Sequence, residues 1–121
     1  MDLITKFLTL HNQLKVYHWQ TESYAQHQAF GGAYDEFTGY IDQFIEEFMG
    51  KNARIMAKGG FKVESSNISD KDPDKFIEEY ITFLVTELPK QLKPEDTNLL
   101  NIRDEMLGEL QKLKYLLTLN K

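Results

Sequence analysis

A chain of 121 residues can bury one helical core but not two, so the sequence predicts a single domain over residues 1–121. It contains no cysteine, which excludes disulfides and thiolate metal sites and leaves His, Asp, Glu or water as metal ligands. The net charge of -5 argues against a general nucleic-acid surface, and no apolar run approaches the ~20 residues of a membrane span.

The first helix is predicted to run from about Asp2 to Thr21. Asp2 suits the N-cap position, and apolar residues follow it with the three-and-four spacing of an amphipathic helix. His11 and His18 are seven residues apart and therefore share the apolar face. We expect both imidazoles to point toward the core.

The second helix is predicted from about Ser23 to Met49, after a break at Thr21–Ser23. Asp35, Asp42 and Glu46 fall within roughly 40° of one another on this helix, so they form one carboxylate stripe. The apolar stripe of this helix is unusually aromatic, and it is predicted to be Tyr24, His27, Phe30, Tyr34, Phe37, Ile41, Phe44, Ile45 and Phe48.

Two glycines interrupt the second helix at Gly31 and Gly32. A glycine inside a helix costs roughly 1 kcal/mol relative to alanine. We therefore expect a packing reason for the pair, such as the close approach of another helix.

Periodicity disappears from Gly50 to Lys71, which predicts a long connection. Asp72 as N-cap and Pro73 in the first turn then open a third helix that should end by Leu88, before Pro89. A long link between the second and third helices is the connection that a ferritin-like bundle uses, whereas simple up-and-down bundles use short turns.

The fourth helix is predicted to follow Pro94–Asp96 and to run to about Thr118. Its apolar face is regular. Asp104, Glu105 and Glu109 are predicted to be surface charges, because no histidine accompanies them as in the Glu-x-x-His pairs of ferritins.

Histidines on one helix and a carboxylate stripe on the next could together form a metal site. Imidazole and carboxylate ligands suit iron, manganese or zinc. The alternative is a purely structural polar cluster whose hydrogen bonds are satisfied within the fold.

The first two helices resemble those of the Dps miniferritins. The signature of that family is a His-Trp pair near the end of the first helix, a second His early in the second helix, and Asp-x-x-x-Glu later in it. The corresponding residues here are His18-Trp19, His27, Asp42 and Glu46. The chain also resembles a small group of Dps-like proteins encoded by bacteriophages and large viruses.

The resemblance implies an all-α, ferritin-like four-helix bundle with a long crossover between helices 2 and 3. It also implies a homo-oligomer with iron, or another divalent metal such as manganese or zinc, bound at a twofold subunit interface. There His18 and His27 of one chain would meet Asp42 and Glu46 of its mate. The expected activity is that of a ferroxidase, with Fe(II) oxidised by peroxide or oxygen and iron stored inside the oligomer.

Two departures from the family pattern concern the second histidine. The interval from His18 to His27 is shorter than is usual in the family, and Gly31 stands where the family has an acidic ligand. We therefore expect a mononuclear site with His27 as an outer or weaker ligand. The same departures support the alternative function, a non-catalytic helical-bundle assembly or interaction protein of a phage or virus.

Partners and location follow from the two ends of the chain. The segment MDLITKF lacks the basic start and long apolar core of a signal peptide, so a cytoplasmic protein is expected, in the host cytoplasm or the virion if it is phage or virus encoded. No membrane association is expected. No DNA binding is expected either, because the first helix starts at Asp2 and only Lys121 adds a positive charge at the other end.

Overall fold

The structure of the protein is a computed structural model that describes residues 2–119. Met1, Asn120 and Lys121 lie outside the described residues, and with them the terminal lysine considered for DNA binding. Within residues 2–119 the fold is all-helical, with no strand. Its four α-helices are α1 (Leu3–Gln20), α2 (Tyr24–Lys51), α3 (Pro73–Thr82) and α4 (Thr97–Leu117).

The predicted helix starts are confirmed by their caps. The side chains of Asp2, Ser23 and Asp72 accept hydrogen bonds from the backbone N–H groups three residues further on, at Thr5, Gln26 and Lys75. These bonds satisfy N–H groups that a helix start leaves without a partner. The break between α1 and α2 is confined to residues 21–23.

The end of the third helical segment differs from the prediction. After α3 the chain makes a π-helical turn over Phe83–Glu87 and a 3-10 turn over Leu88–Gln91, so helical rotation continues past Pro89. In α geometry the ring of Pro89 would clash with the carbonyl four residues earlier, and Pro89 has no N–H to donate. The wider π turn relieves this conflict, and the Leu88 N–H donates to the Phe83 carbonyl instead.

Contacts between the helices give their order in the bundle. α2 packs against both α1 and α4, and α4 also packs against α3. The start of α3 lies beside the end of α1, where Tyr17 and Phe76 pack edge to face. The π-helical turn that follows α3 lies beside the start of α1, where Phe83 and Phe7 pack edge to face. Neighbouring helices around the bundle are α1, α2, α4 and α3, so the connection over residues 52–72 runs diagonally from α2 to α3.

This connection is attached to α1 by side-chain hydrogen bonds. The buried Gln13 amide donates to the Ser66 carbonyl and accepts from the Ser66 N–H, and the Tyr17 hydroxyl donates to the Lys71 carbonyl. Burial raises the pKa of Tyr17 well above its ordinary value, so the phenol keeps the proton that it donates. These bonds place α3 beside α1 although the segment before it has no helix.

One core fills the space between the helices, and aromatic rings dominate its α1–α2 half. Phe7 packs edge to face on Phe44 and on Phe83, with ring centroids 5.2 and 6.1 Å apart. The residues with essentially no solvent exposure include Phe7, Leu10, Leu14, Tyr17, Phe30, Phe37, Phe44, Ile77, Leu84, Leu88, Met106 and Leu110.

The predicted environments of Tyr24 and Glu109 are wrong. Tyr24 was expected in the apolar stripe, but it is the first residue of α2 and is 76% exposed. Glu109 was expected at the surface, but it is buried between α2 and α4, with its carboxylate 3.4 Å from the Lys112 ammonium. Asp104 and Glu105 are exposed, as predicted.

No helix in the part of the chain from residue 2 to residue 119 combines the length and the apolarity that crossing a membrane requires.

Candidate metal centre

His18 near the end of α1 and His27 near the start of α2 form a reciprocal pair. Their rings stack with centroids 3.9 Å apart and planes 17° from parallel. His18 Nδ1 lies 2.7 Å from the His27 carbonyl oxygen, and His27 Nδ1 lies 2.8 Å from the His18 carbonyl oxygen. Each imidazole is therefore fixed by the backbone of the other residue.

The short connection between α1 and α2 explains the hydrogen bond from the His27 ring to the His18 carbonyl. The carbonyl of His18 lies in the last turn of α1, where helical carbonyls lack intrahelical partners. The imidazole of His27 reaches back across the turn and supplies a donor. A longer connection would separate the two backbones, so the short interval makes this reciprocal pair possible. We call the two imidazoles and their two hydrogen bonds the histidine clasp.

Gly31 explains the hydrogen bond from the His18 ring to the His27 carbonyl. A Cβ atom at Gly31 would lie 2.9 Å from Cε1 and 3.0 Å from Nδ1 of His18, which is closer than real side chains approach. In a helix the Cβ points back toward the preceding turn, where the His27 carbonyl lies. Glycine leaves that carbonyl open to the His18 ring, which confirms the expected packing reason at Gly31. At Gly32 a Cβ would meet nothing within 4 Å.

The hydrogen bonds determine which ring nitrogens carry protons. A carbonyl oxygen only accepts, so Nδ1 of both His18 and His27 must donate. In the neutral rings the lone pair then lies on Nε2, the nitrogen that remains available. Histidines that ligate metals usually donate their other N–H to a carbonyl or carboxylate in this manner.

His11 has the opposite arrangement. The hydroxyl of Thr38 donates its proton to the Tyr34 carbonyl, so its oxygen accepts from His11 Nε2 at 2.8 Å. Burial, reinforced by the positive charge of Lys15, lowers the pKa of His11, which favours the neutral ring. His11 therefore has a structural partner at the nitrogen that His18 and His27 leave free.

Tyr34 lies between His11 and the pair formed by His18 and His27. Its ring meets His18 edge to face at 5.4 Å and His11 at 5.8 Å. His11 and His18 are half-buried against α2, which corrects the expectation that both point into the core. The imidazoles and Tyr34 form a row along the outer face of α1 and α2.

The predicted carboxylate ligands lie at the other end of this face. Asp42 and Glu46 are exposed and rim a groove of about 230 Å³ whose apolar walls are Ile4, Phe7, Leu8, Ile41 and Ile45. Asp35 is exposed as well. All three carboxylates therefore face solvent, as a single helical stripe predicts.

The histidines and the carboxylates do not meet within one chain. Asp42 is 15 residues from His27 along α2, which corresponds to ~22 Å at the rise of an α-helix. Consistent with this separation, no group of three or more His, Asp or Glu side chains within residues 2–119 is arranged to hold a metal ion. A site that uses all four predicted ligands requires two chains.

The sequence analysis did not identify the roles that three residues have in this surface. Gly31 was treated as a lost ligand and as a packing position, but its contact with the His18 ring was not predicted. The groove residue Ile45 was counted as an ordinary member of the apolar stripe of the second helix, and Leu8 was assigned to no apolar stripe. Their partial exposure, 39% for Leu8, follows from the lack of a third helix over this face and has no local sequence signal.

These features define a class of protein, an all-helical bundle with a paired-histidine turn and a separate carboxylate-rimmed groove on one face. The chain belongs to a family described as "Family of unknown function (DUF5856)", whose model matches residues 18–117. Searches of curated proteins and of solved structures found no match.

Proposed function

We propose that the protein is a ferritin-like, Dps-type subunit that binds a divalent metal, with iron as the principal candidate, between two copies of the chain. The observation that carries the proposal is the reciprocal clasp of His18 and His27. It holds two imidazoles rigidly through Nδ1 and leaves both Nε2 atoms free on the outer face.

The helix order supports the ferritin-like part of the proposal. α1 and α2 are joined by a short turn, whereas the diagonal connection from α2 to α3 is long. Bundles with one long crossover are typical of ferritin-like folds. The order of contacts described above, with α3 beside α1 and α4, fits that topology.

The proposed site lies between His18 of one chain and Asp42 and Glu46 of its twofold mate. Asp42 and Glu46 are one helical turn apart, so their carboxylates reach the same region of space. The two stacked imidazoles have lone pairs in nearly parallel planes, so a single ion meets one of them in the plane of its ring and not both. This geometry favours one primary imidazole, for which we propose His18, and a secondary His27.

In the proposed reaction Fe(II) is the substrate. Each Fe(II) gives up one electron, and two electrons with two protons convert hydrogen peroxide to two molecules of water; four electrons and four protons would be needed for oxygen. The chain contributes neutral nitrogen and anionic oxygen ligands, which stabilise Fe(III) as its charge increases. Ligand protonation competes with the metal, so binding weakens in acid.

Calorimetric titration with Zn(II), a redox-inert substitute for Fe(II), tests the site. We expect about one ion per chain, with binding abolished in His18→Ala and Asp42→Ala and weakened in His27→Ala. Asp35→Ala is the matched control, because Asp35 lies on the same exposed stripe outside the proposed ligand set. Titration with Fe(II) under nitrogen, followed by addition of peroxide, then measures oxidation.

If the wild-type protein takes up no metal, or if Asp42→Ala binds as well as the wild type, the metal site is wrong. The clasp would then serve only to close the turn between α1 and α2. The protein would be better described as the alternative, a non-catalytic assembly or interaction protein.

A further inference from the structure

We propose that Trp19 of one chain inserts into the apolar groove of a second copy, so that the outer face of α1 and α2 is a self-complementary dimer surface. The proposal deepens the proposed function and rests on its twofold arrangement. It adds an anchor residue and a receiving groove that need no metal.

Trp19 is a large apolar side chain without a covering partner in the single chain. It is 67% exposed, and the Lys15 ammonium lies over its ring at 5.8 Å from the centroid and over Tyr34 at 5.7 Å. These contacts place Trp19 on the same outer face as Tyr34 and the histidine pair. Exposed tryptophans of this kind are frequent anchors in protein interfaces.

The groove has the size and the chemistry for an indole ring. Its volume is about 230 Å³, and isoleucines, Leu8 and Phe7 form its walls. A cavity of ~150 Å³ with a similar apolar lining binds benzene, so this groove can accept the larger indole.

Three contacts define the register of the two antiparallel helices. The His18 ring lies on Gly31, the His11 ring meets Thr38, and Phe7 packs on Phe44. By this register, Asp42 lies level with Phe7, and Glu46 lies level with Leu3. The centre of the groove lies level with residue 6 of α1.

A single twofold axis can bring the histidines onto the carboxylates and Trp19 onto the groove. The histidine pair and the carboxylate pair are ~22 Å apart along the helices, and Trp19 and the groove centre are ~20 Å apart. Both separations have their midpoint near Asn12. A twofold axis that crosses the helices at Asn12, in the plane of the interface, therefore places His18 and His27 against Asp42 and Glu46 and brings Trp19 over the groove.

The charges on the face favour the same arrangement. The histidine end carries the Lys15 ammonium, whereas the groove end carries the exposed carboxylates of Asp42 and Glu46. Antiparallel pairing sets these unlike ends opposite each other, and parallel pairing would bring the carboxylates of both copies together. The second copy of this chain is thus the occupant that the groove fits.

Sedimentation equilibrium and tryptophan fluorescence in the presence of chelator test this inference. Trp19 is the sole tryptophan, so its emission reports directly on the groove. We expect dimers in chelator, with emission that shifts to shorter wavelength and resists acrylamide quenching as the dimer forms. Leu8→Asp and Trp19→Ala should each weaken dimerisation by about tenfold or more.

Met56→Asp is the matched control, because Met56 is an 83% exposed apolar residue in the connection after α2 and should leave the dimer unchanged. A protein that stays monomeric, a dimer whose tryptophan remains fully quenchable, or a Leu8→Asp variant that dimerises as the wild type does would overturn the insertion. Zinc titration separates this failure from that of the proposed function. Zinc uptake that depends on His18 and Asp42 without tryptophan burial removes only the insertion, and tryptophan burial without zinc uptake removes only the metal site.

Discussion

Gly31 controls the histidine clasp through the side chain that it lacks. His18 occupies the volume that a Cβ atom would fill, and its Nδ1 reaches the carbonyl of His27 through that opening. A carboxylate at this position is incompatible with the observed ring. Glycine at this position is therefore coupled to the stacked arrangement.

Gly31→Ala should destabilise the fold although alanine is the better helix former. The new methyl group must displace the His18 ring and break its hydrogen bond, and this cost should exceed the gain of up to about 1 kcal/mol from helix propensity. We expect the free energy of unfolding in urea to fall by about 1 kcal/mol.

Gly32→Ala provides the neighbouring control. A Cβ there has open space, so the propensity gain should appear as an increase of up to about 1 kcal/mol in the free energy of unfolding. Equal effects of the two substitutions would contradict the role assigned to Gly31. Zinc binding should weaken in Gly31→Ala only.

The π-helical turn after α3 has a hydrogen-bond partner on another helix. Its Leu84 carbonyl accepts a hydrogen bond at 3.1 Å from Nη1 of Arg103 on α4, and the Arg103 side chain is only 19% exposed. Because Pro89 has no N–H and the Leu88 N–H goes to Phe83, the arginine contributes a donor at this turn.

Arg103→Met keeps the aliphatic stem and removes the donor. We expect the free energy of unfolding to fall by about 1–2 kcal/mol, because the buried carbonyl loses a charge-assisted hydrogen bond. Arg54→Met, at an exposed position in the connection after α2, should leave stability unchanged in the same denaturant titration. A stability of Arg103→Met equal to that of the wild type would show that the π turn does not need this bond.

The elements differ in how far their sequence predicts them. The starts of α1, α2 and α3 depend on local capping by Asp2, Ser23 and Asp72, so they could be predicted within a residue. The π turn depends on Pro89 and on a partner in another helix. Pro89 predicts an interruption of the α-helix, but the sequence does not show that the chain continues as a π turn supported by another helix. For the same reason the exposure of Tyr24 and the burial of Glu109 follow from helix packing and not from their spacing.

The features of the candidate site also differ in how far the sequence predicts them. The face shared by Asp42 and Glu46 follows from helical rotation alone. The stacking of His18 on His27 requires the crossing of two helices over Gly31, which single-helix periodicity does not describe. The meeting of histidines and carboxylates requires a second chain and stays a prediction.

The whole molecule carries a net charge of -5, which governs its behaviour toward DNA. Binding to duplex DNA at physiological salt depends on cations that displace counterions from phosphates. We expect no shift of a DNA duplex on a gel at about 150 mM salt with chelator present. A shift that persists under these conditions would contradict the prediction, and a divalent ion added back serves as the control for bridging.

The connection over residues 52–72 separates the molecule into two helical hairpins, one made of α1 and α2 and the other of α3 and α4. Its exposed tip at Gly59 and Gly60, both with positive φ, lies well before the hydrogen bonds that attach Ser66 and Lys71 to α1. A chain divided at this tip would keep both hairpins and every one of these attachments. The protein is thus suited to be expressed as two fragments that reassemble without a covalent link, with the proposed site and groove contained in the first fragment and the rest of the core in the second.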